Sequence, residues 1–383
     1  MQENKPKIAI VVCVWPPQGG GIGNNAYYHA KLLFERGYEV MAFTPHYVNR
    51  EVKPEPFLKQ LKMTLGHGLA GLLLGLWREL KSFDVVHLYY PFFGTDLIIY
   101  LWALLNPNRQ LIIHYHMDAI GSDWKQWLFK FHTRFFLPLI VRRANKIIIL
   151  SEDHARHSYL ARYFKNSPQK FVVVPNGIDT TIFKLQEKNL ALQQRLQLNP
   201  TDLVLLFVGG LDSQHYFKGL DQLLTVTSRL QSKFSNLKLV IIGDGDRRQQ
   251  FEAQAQQLGI TNRTSFLGWV KNDELPAYYN LADIFVLPST AGTESFGIVT
   301  AEAQACGVPA VVSNWPGSRE TISAETGMLV IPGDVADLQM ALDQLLANPL
   351  GRKQMGEAAI ARAQRYDWQL VIAQLEKMYR ELS

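Results

Sequence analysis

The stretch "ESFGIVTAE" places Glu294 and Glu302 with seven residues between them, around a Phe-Gly step. It follows "ADIFVLPS", a run that reads as a buried strand ending at Pro288-Ser289. The spacing predicts a helix from about Ser295 to Cys306, with Gly307 as its stop. Glu294 then lies at the mouth of the helix and Glu302 lies inside it, two turns on. The backbone N–H groups of Phe296, Gly297, Ile298 and Val299 would face an anion or sugar oxygens where the helix dipole favours negative charge, and Gly297 leaves room for the approach. A carboxylate cannot grip a phosphate, but it accepts hydrogen bonds from sugar hydroxyls. Two carboxylates set apart in this way suit a ligand with hydroxyls at both ends and a diphosphate in the middle, as in a nucleotide sugar. The same spacing also fits a Glu294 that only complements the helix dipole and a Glu302 on the surface.

Two glycine-rich turns are the next candidates. "WPPQGGGIGNN" joins the first strand to the first helix, and Gly20 and Gly21 let the backbone approach a ligand closely. It is not a dinucleotide fingerprint, because the following strand, "YEVMAFTP", lacks the acidic residue that would hold a ribose. "FVGGLDSQHYFKGL" repeats the device after a later strand, and Lys218 there could neutralise a diphosphate. It is not a Walker loop, which needs Gly-x4-Gly-Lys-Ser/Thr, because here Gly219 and then Leu220 follow the lysine. A solvated lysine and a plain structural turn remain open for these two loops.

These residues need a scaffold. Short β-rich runs alternate with helical segments from end to end, which predicts parallel sheets wrapped by helices. At 383 residues the chain exceeds one ordinary core. The pattern halts at "VPNGID" and restarts at "LVLLFVGG", so two doubly wound α/β domains are expected. Their predicted extents are 1–180 and 190–362, with 363–383 a helix packing back toward the first domain. Ligands in such sheets bind beyond the carboxyl ends of the strands, and a cleft between two domains is the expected site.

Composition narrows the function. With 47% hydrophobic and 19% charged residues the chain is globular. Its two cysteines, Cys13 and Cys306, support neither a disulfide framework nor a cysteine metal site. The opening "MQENKPKIAIVVCVW" suits a first strand better than a secretory signal, and "LAGLLLGLW" is about half the ~18 residues of a membrane span, so a cytoplasmic protein is expected. Residues 1–190 carry 23 Lys and Arg against 14 Asp and Glu, whereas residues 191–383 carry 16 against 20. The first half therefore favours an anionic neighbour. No nucleic-acid motif is present. The segment 123–146 mixes Trp124, Trp127, Phe129, Phe131, Phe135 and Phe136 with Lys125, Lys130, Arg134, Arg142 and Arg143. That is the chemistry of a helix lying on the inner, anionic face of a membrane, and equally of an amphipathic helix packed on a sheet and broken at Pro138.

"ESFGIVTAEAQACGVPAVVS" closely resembles the E-x7-E signature of the retaining glycosyltransferases of family 4. "LAGL", "DVVHLYYPFFG", "HYHMD", "VPNGID", Lys218-Gly219, "IIGDG", "FLGWV", "LADIFVLPS", "WPGSRE", "TGMLV" and "RYDW" resemble that family's successive landmarks, in order and over nearly the whole chain. The resemblance implies the GT-B fold, two Rossmann-like domains facing across a cleft. It also implies transfer of a hexose from a nucleoside diphosphate to a glycan or lipid-linked acceptor, with retention and with neither metal nor other cofactor. By that resemblance Glu294 contacts the donor hexose, Glu302 the ribose, Lys218 the diphosphate, and Phe296 to Val299 present N–H groups. Gly20-Gly21 closes from the other domain, His116 sits beside the donor sugar, and Val270 touches the base through its backbone. His116 read alone, beside His114, also suits a core role.

One position departs from the pattern. The family often carries an arginine where this chain has Gly210, and "DSQHYF" lengthens the path to the lysine. Arg319 and His215 are the candidate replacement cations. A nucleotide-sugar epimerase and a non-catalytic two-lobed binding protein are the competing functions, and each predicts a different outcome when nucleotide sugars are supplied without an acceptor.

Overall fold

The computed structural model describes residues 5–16, 20–47, 52–67, 70–118, 125–213, 215–292 and 294–382. Gly19, Trp124 and Thr293, which carried parts of the sequence reading, lie outside them. The chain divides into two compact units, Met1–Gly177 with Trp368–Ser383, and Ile178–Asp367.

The first unit is built on a 7-stranded sheet. Its strands are β1 (Ile8–Val11), β2 (Val40–His46), β3 (Leu58–Lys62), β4 (Val85–Tyr90), β5 (Gln110–Tyr115), β6 (Lys146–Ile149) and β7 (Phe171–Val173), in the order β7-β6-β5-β4-β1-β2-β3. Every neighbouring pair is parallel. Strands covered on both faces read as unbroken apolar runs, and β1 and β4 are buried at every position. Helix α1 (Gly20–Glu35) follows β1 and ends before Gly37, whose φ of 77° supplies the left-handed step. Short strands Leu65–His67, Ala70–Leu72 and Phe93–Gly94 form a small extra sheet that periodicity did not predict.

The segment 123–146 divides at Phe136, just ahead of Pro138, into α2 (Lys125–Phe135) and α3 (Leu137–Arg143). The last helix, α7 (Trp368–Leu382), places Trp368, Val371, Ile372, Leu375, Met378 and Tyr379 at helical spacing. All of them join the core formed by β1 and α1 residues such as Ile8, Ile10, Ala26 and Leu33. Each such side chain contributes roughly 1.5–3 kcal/mol of burial.

The second unit carries a 6-stranded parallel sheet of β8 (Leu203–Val208), β9 (Leu237–Ile242), β10 (Thr264–Phe266), β11 (Ile284–Leu287), β12 (Ala310–Ser313) and β13 (Gly327–Val330). Their order is β10-β9-β8-β11-β12-β13. The chain runs outward from β8 to β10 and then returns to place β11 on the other side of β8. The loops after β8 and β11 therefore leave adjacent strands in diverging directions, the topological switch point at which doubly wound sheets hold ligands.

Candidate active site

Three of the sequence-predicted residues converge at that switch point. Lys218 ends a short 3-10 turn, Tyr216–Lys218, that precedes helix α4 (Leu220–Leu230). Its Nζ lies 3.1 Å from Glu294 Oε2, with side chains 13% and 17% exposed. The turn is fastened to the end of β11, where Thr290 N donates to the Phe217 carbonyl at 2.6 Å. Gly219 makes this junction possible: its φ is 72°, and a Cβ there would lie 2.0 Å from the Pro288 carbonyl oxygen.

The helix carrying Glu302, α6, spans Ile298–Ala305 and starts about three residues later than predicted. Gly297 occupies the position before it with φ 76° and ψ 58°, a left-handed conformation that a helix cannot continue through. Gly297 thus shapes the entry, and the N–H groups of Ile298 and Val299, not those of Phe296 and Gly297, belong to the first helical turn. Phe296 is buried, with its ring edge-on to Tyr366 at 5.2 Å.

Glu302 is not the surface residue that spacing alone allowed. It is 8% exposed, and its Oε2 accepts a 2.8 Å hydrogen bond from the Tyr279 hydroxyl on helix α5 (Leu275–Tyr279). Burial pushes its carboxyl up to about 7, against the opposing pull of the Tyr279 hydrogen bond and of the Lys218 charge. One lysine is thus coupled to both glutamates. Tyr279 escaped the sequence reading because nothing in "LPAYYN" distinguishes it from a core tyrosine, and its own hydroxyl is pushed well above 10, first by burial and then by Glu302.

The other candidates are placed as follows. Val270 is buried beyond β10, after Gly268 and the 70% exposed Trp269. Arg319 lies in the turn Ser318–Thr321 after β12, where its Nη1 donates to Asn314 Oδ1 at 3.2 Å. Gly210 follows β8, one residue beyond Gly209. In the first unit, Gly20 and Gly21 fall within the first turn of α1 rather than in a loop, and a Cβ on either would meet nothing within 4 Å.

His116 follows β5 and is 3% exposed. Its ring stacks on His114 at 4.3 Å and on Tyr89 at 5.4 Å. The two-residue period of neighbouring strands aligns these rings: His87 and Tyr89 project from one face of β4, His114 from the matching face of β5. His87 shares a 2.6 Å hydrogen bond with the Tyr379 hydroxyl, and His29 a 2.5 Å bond with that of Tyr89. Burial, helped by His29 and His154, pushes His116 down to about 3, so it is neutral at physiological pH. It is both a core residue and one at a strand's carboxyl end.

Among the described residues no group of three or more His, Cys, Asp or Glu side chains is placed to hold a metal ion. Cys13 and Cys306 are buried thiols pushed up to about 12, chiefly by desolvation. Among the described residues no helix is long and apolar enough to cross a membrane.

Residues 189–362 match the glycosyl transferases group 1 family, and residues 19–182 match glycosyltransferase family 4. The chain belongs to this glycosyltransferase family. Its two parallel-sheet units are those of the GT-B fold, and the structure is similar to that of Anabaena HepE in complex with UDP-glucose, with a TM-score of 0.74, 20% identity and coverage of 97% of this chain and 99% of that one. In sequence the chain is 32% identical over 251 residues to a D-inositol 3-phosphate glycosyltransferase of Corynebacterium aurimucosum, covering 63% of this chain and 58% of that protein. It is 26% identical over 380 residues to a phosphatidyl-myo-inositol mannosyltransferase of Propionibacterium freudenreichii, covering 94% and 91%. The chain thus spans little more than half the length of the first of these relatives.

Proposed function

We propose that this protein moves a hexose from a nucleoside diphosphate sugar to an acceptor hydroxyl with retention of anomeric configuration and without a bound metal. The observation that carries the reading is the placement of Lys218 between Glu294 and Glu302 at the β8/β11 switch point. Lys218 pairs with Glu294 at 3.1 Å. A diphosphate draws the lysine to itself and releases Glu294 to accept hydrogen bonds from hexose hydroxyls, while Glu302 accepts from the ribose. As the bond from the anomeric carbon to the diphosphate oxygen lengthens, Lys218 and the N–H groups of Ile298 and Val299 stabilise the departing charge. The acceptor oxygen bonds the anomeric carbon from the same face, and its proton passes to the leaving phosphate oxygen. The protein contributes position and preorganised charge. The UDP-glucose bound by the structurally similar HepE supports a nucleotide-sugar donor.

The test is a panel of nucleotide sugars incubated with the protein, with and without a glycan or lipid acceptor, scoring released nucleoside diphosphate. Release on transfer, lost in Glu294→Gln, is expected. A changed sugar nucleotide with no acceptor present would instead mark an epimerase, and binding without turnover a non-catalytic protein.

The same reading extends to a lipid-linked acceptor in envelope or polysaccharide assembly, with the protein peripheral on the cytoplasmic face of the membrane. Trp127, Phe131 and Phe135 are 74%, 52% and 54% exposed and recur every fourth residue along one side of α2. Lys130 and Arg134 lie over the Trp127 and Phe135 rings. The opposite side is tied down: Phe129 stacks on Phe93 at 4.8 Å, and His132 Nε2 lies 2.6 Å from the buried Asp96 carboxylate. This exposed stripe supports an interfacial helix. That the Propionibacterium relative is a phosphatidyl-myo-inositol mannosyltransferase agrees with it. Co-sedimentation with anionic vesicles that is lost at high salt is the expected result; no binding at any salt would remove this part.

A further inference from the structure

Two successive glycines follow β8, and each lies under a different nitrogen-bearing side chain, that of Lys218 or that of His215. A Cβ on Gly209 would sit 2.7 Å from Lys218 Cδ, and one on Gly210 would sit 2.8 Å from His215 Nδ1 and 2.9 Å from Asp212 Oδ2. The space that a side chain at position 210 would enter is therefore filled by the His215 imidazole. His215 is fixed there: its Nδ1 lies 2.9 Å and 2.8 Å from the two Asp212 carboxylate oxygens, and its backbone N–H also donates to Asp212, at 3.2 Å.

The loop holding this pair is built in from both sides. Leu211 N donates to the Asp244 carbonyl at 3.0 Å and Arg247 N to the Leu211 carbonyl at 2.9 Å. Ser213 donates through N and Oγ to Asp246 at 2.7 Å and 2.6 Å. His215 and Lys218 belong to one turn, closed by a 3.1 Å bond from Lys218 N to the His215 carbonyl. Arg319, the other candidate, is hydrogen-bonded to Asn314 in a different loop.

We propose that the Asp212–His215 pair is the second cation of the diphosphate site, taking the place of an arginine side chain at position 210. A carboxylate only accepts, so Asp212 holds the ring as the Nδ1–H tautomer and leaves Nε2 to bind a proton. On arrival of a diphosphate, Nε2 takes up one proton from solvent, and the resulting imidazolium donates to a phosphate oxygen beside Lys218. Asp212 faces the Nδ1–H side of the ring and stabilises the imidazolium that forms when the diphosphate is bound. Asp212 faces the ring itself; the other charged groups of this loop and of the elements packed against it are Lys218, then Asp244, Asp246 and Arg247 of the loop after β9, and Glu294 of the loop after β11, which is paired with Lys218. The assignment rests on the nucleotide-sugar reading and adds to it a pH dependence that a lysine-arginine site lacks.

The experiment is calorimetric titration of the full chain with UDP, GDP and ADP between pH 5.5 and 8.5, in buffers of different ionisation enthalpy. Between the acid and alkaline ends the wild type should lose about tenfold more affinity for the preferred nucleotide than His215→Ala loses, the scale of one charge-assisted hydrogen bond. It should also take up more protons than that variant does on binding near neutral pH. The ligand's terminal phosphate titrates alike for every variant and cancels in the comparison. His215→Lys should keep the affinity and lose the pH slope, and Asp212→Asn should move the slope to lower pH. Binding with the same slope and proton uptake in His215→Ala overturns the assignment alone. Binding of none of the three nucleotides overturns the nucleotide-sugar reading and the assignment with it.

Discussion

Replacing Glu302 by Gln should stabilise the second unit, and only at alkaline pH. The carboxyl is raised from 4.5 to about 7 because burial disfavours its charged form. Between those values the folded chain holds a proton that the unfolded chain has released, so stability falls as pH rises through this window. At ~1.4 kcal/mol per pH unit the full displacement costs about 3 kcal/mol by pH 8 and little at pH 5. The amide of the Glu302→Gln variant retains an oxygen to accept the Tyr279 hydrogen bond and carries no charge to desolvate. Differential scanning calorimetry of wild type and variant at pH 5 and pH 8 reads the effect. For a unit of this size about 3 kcal/mol corresponds to a Tm difference of roughly 6–12 °C, expected at pH 8 and absent at pH 5. A variant no more stable than wild type at pH 8, or equally shifted at both pH values, would refute the link between burial and the raised carboxyl. The same variant should bind donor less well, since an amide replaces one acceptor by a donor facing sugar hydroxyls, and that separates a site held for function from one held for stability.

Lys218→Ala should lower kcat/KM at least a hundredfold, since it removes a charge from the leaving diphosphate and also leaves Glu294 without its 3.1 Å partner; unchanged kinetics would contradict its assignment. Gly219→Ala, which forces a Cβ to within 2.0 Å of the Pro288 oxygen at φ 72°, should cost more than about 2 kcal/mol in urea denaturation and loosen the loop after β11, whereas a Tm close to that of the wild type would show that the junction can relax. Acidification should act oppositely on the two units. His29 and His116, pushed down from 6.5 to about 3 by burial, keep their full contribution above pH 6.5 and lose it as pH falls toward 3, so β4 and β5 should lose hydrogen-exchange protection on acidification before β8 and β11 do; the reverse order would refute the account.

Much of the architecture was written locally. The unbroken apolar strands, Gly37 at the end of α1 and the break ahead of Pro138 follow from backbone preference and burial on two faces, which a short window of sequence contains. The glycine-rich first loop did not read as well: Gly20 and Gly21 lie in the first turn of α1, because periodicity cannot tell a loop glycine from one admitted into a helix. The start of α6 was misplaced for a related reason, since the left-handed Gly297 is a choice of dihedral angle that Glu-Ser-Phe-Gly does not dictate.

The amino-acid sequence by itself determined the residue types of the site and their order along two strand-loop-helix units, because motif spacing is a property of the chain. Only the tertiary structure decided which of them meet. Lys218 and Glu294 are far apart in sequence and become an ion pair because β11 returns beside β8. Glu302 is protonatable near neutrality because burial desolvates it, against the pull of the Tyr279 hydrogen bond, and the His215 imidazole comes to fill the space beside Gly210. Desolvation and through-space contact depend on the whole fold, so neither is encoded in any single stretch of residues.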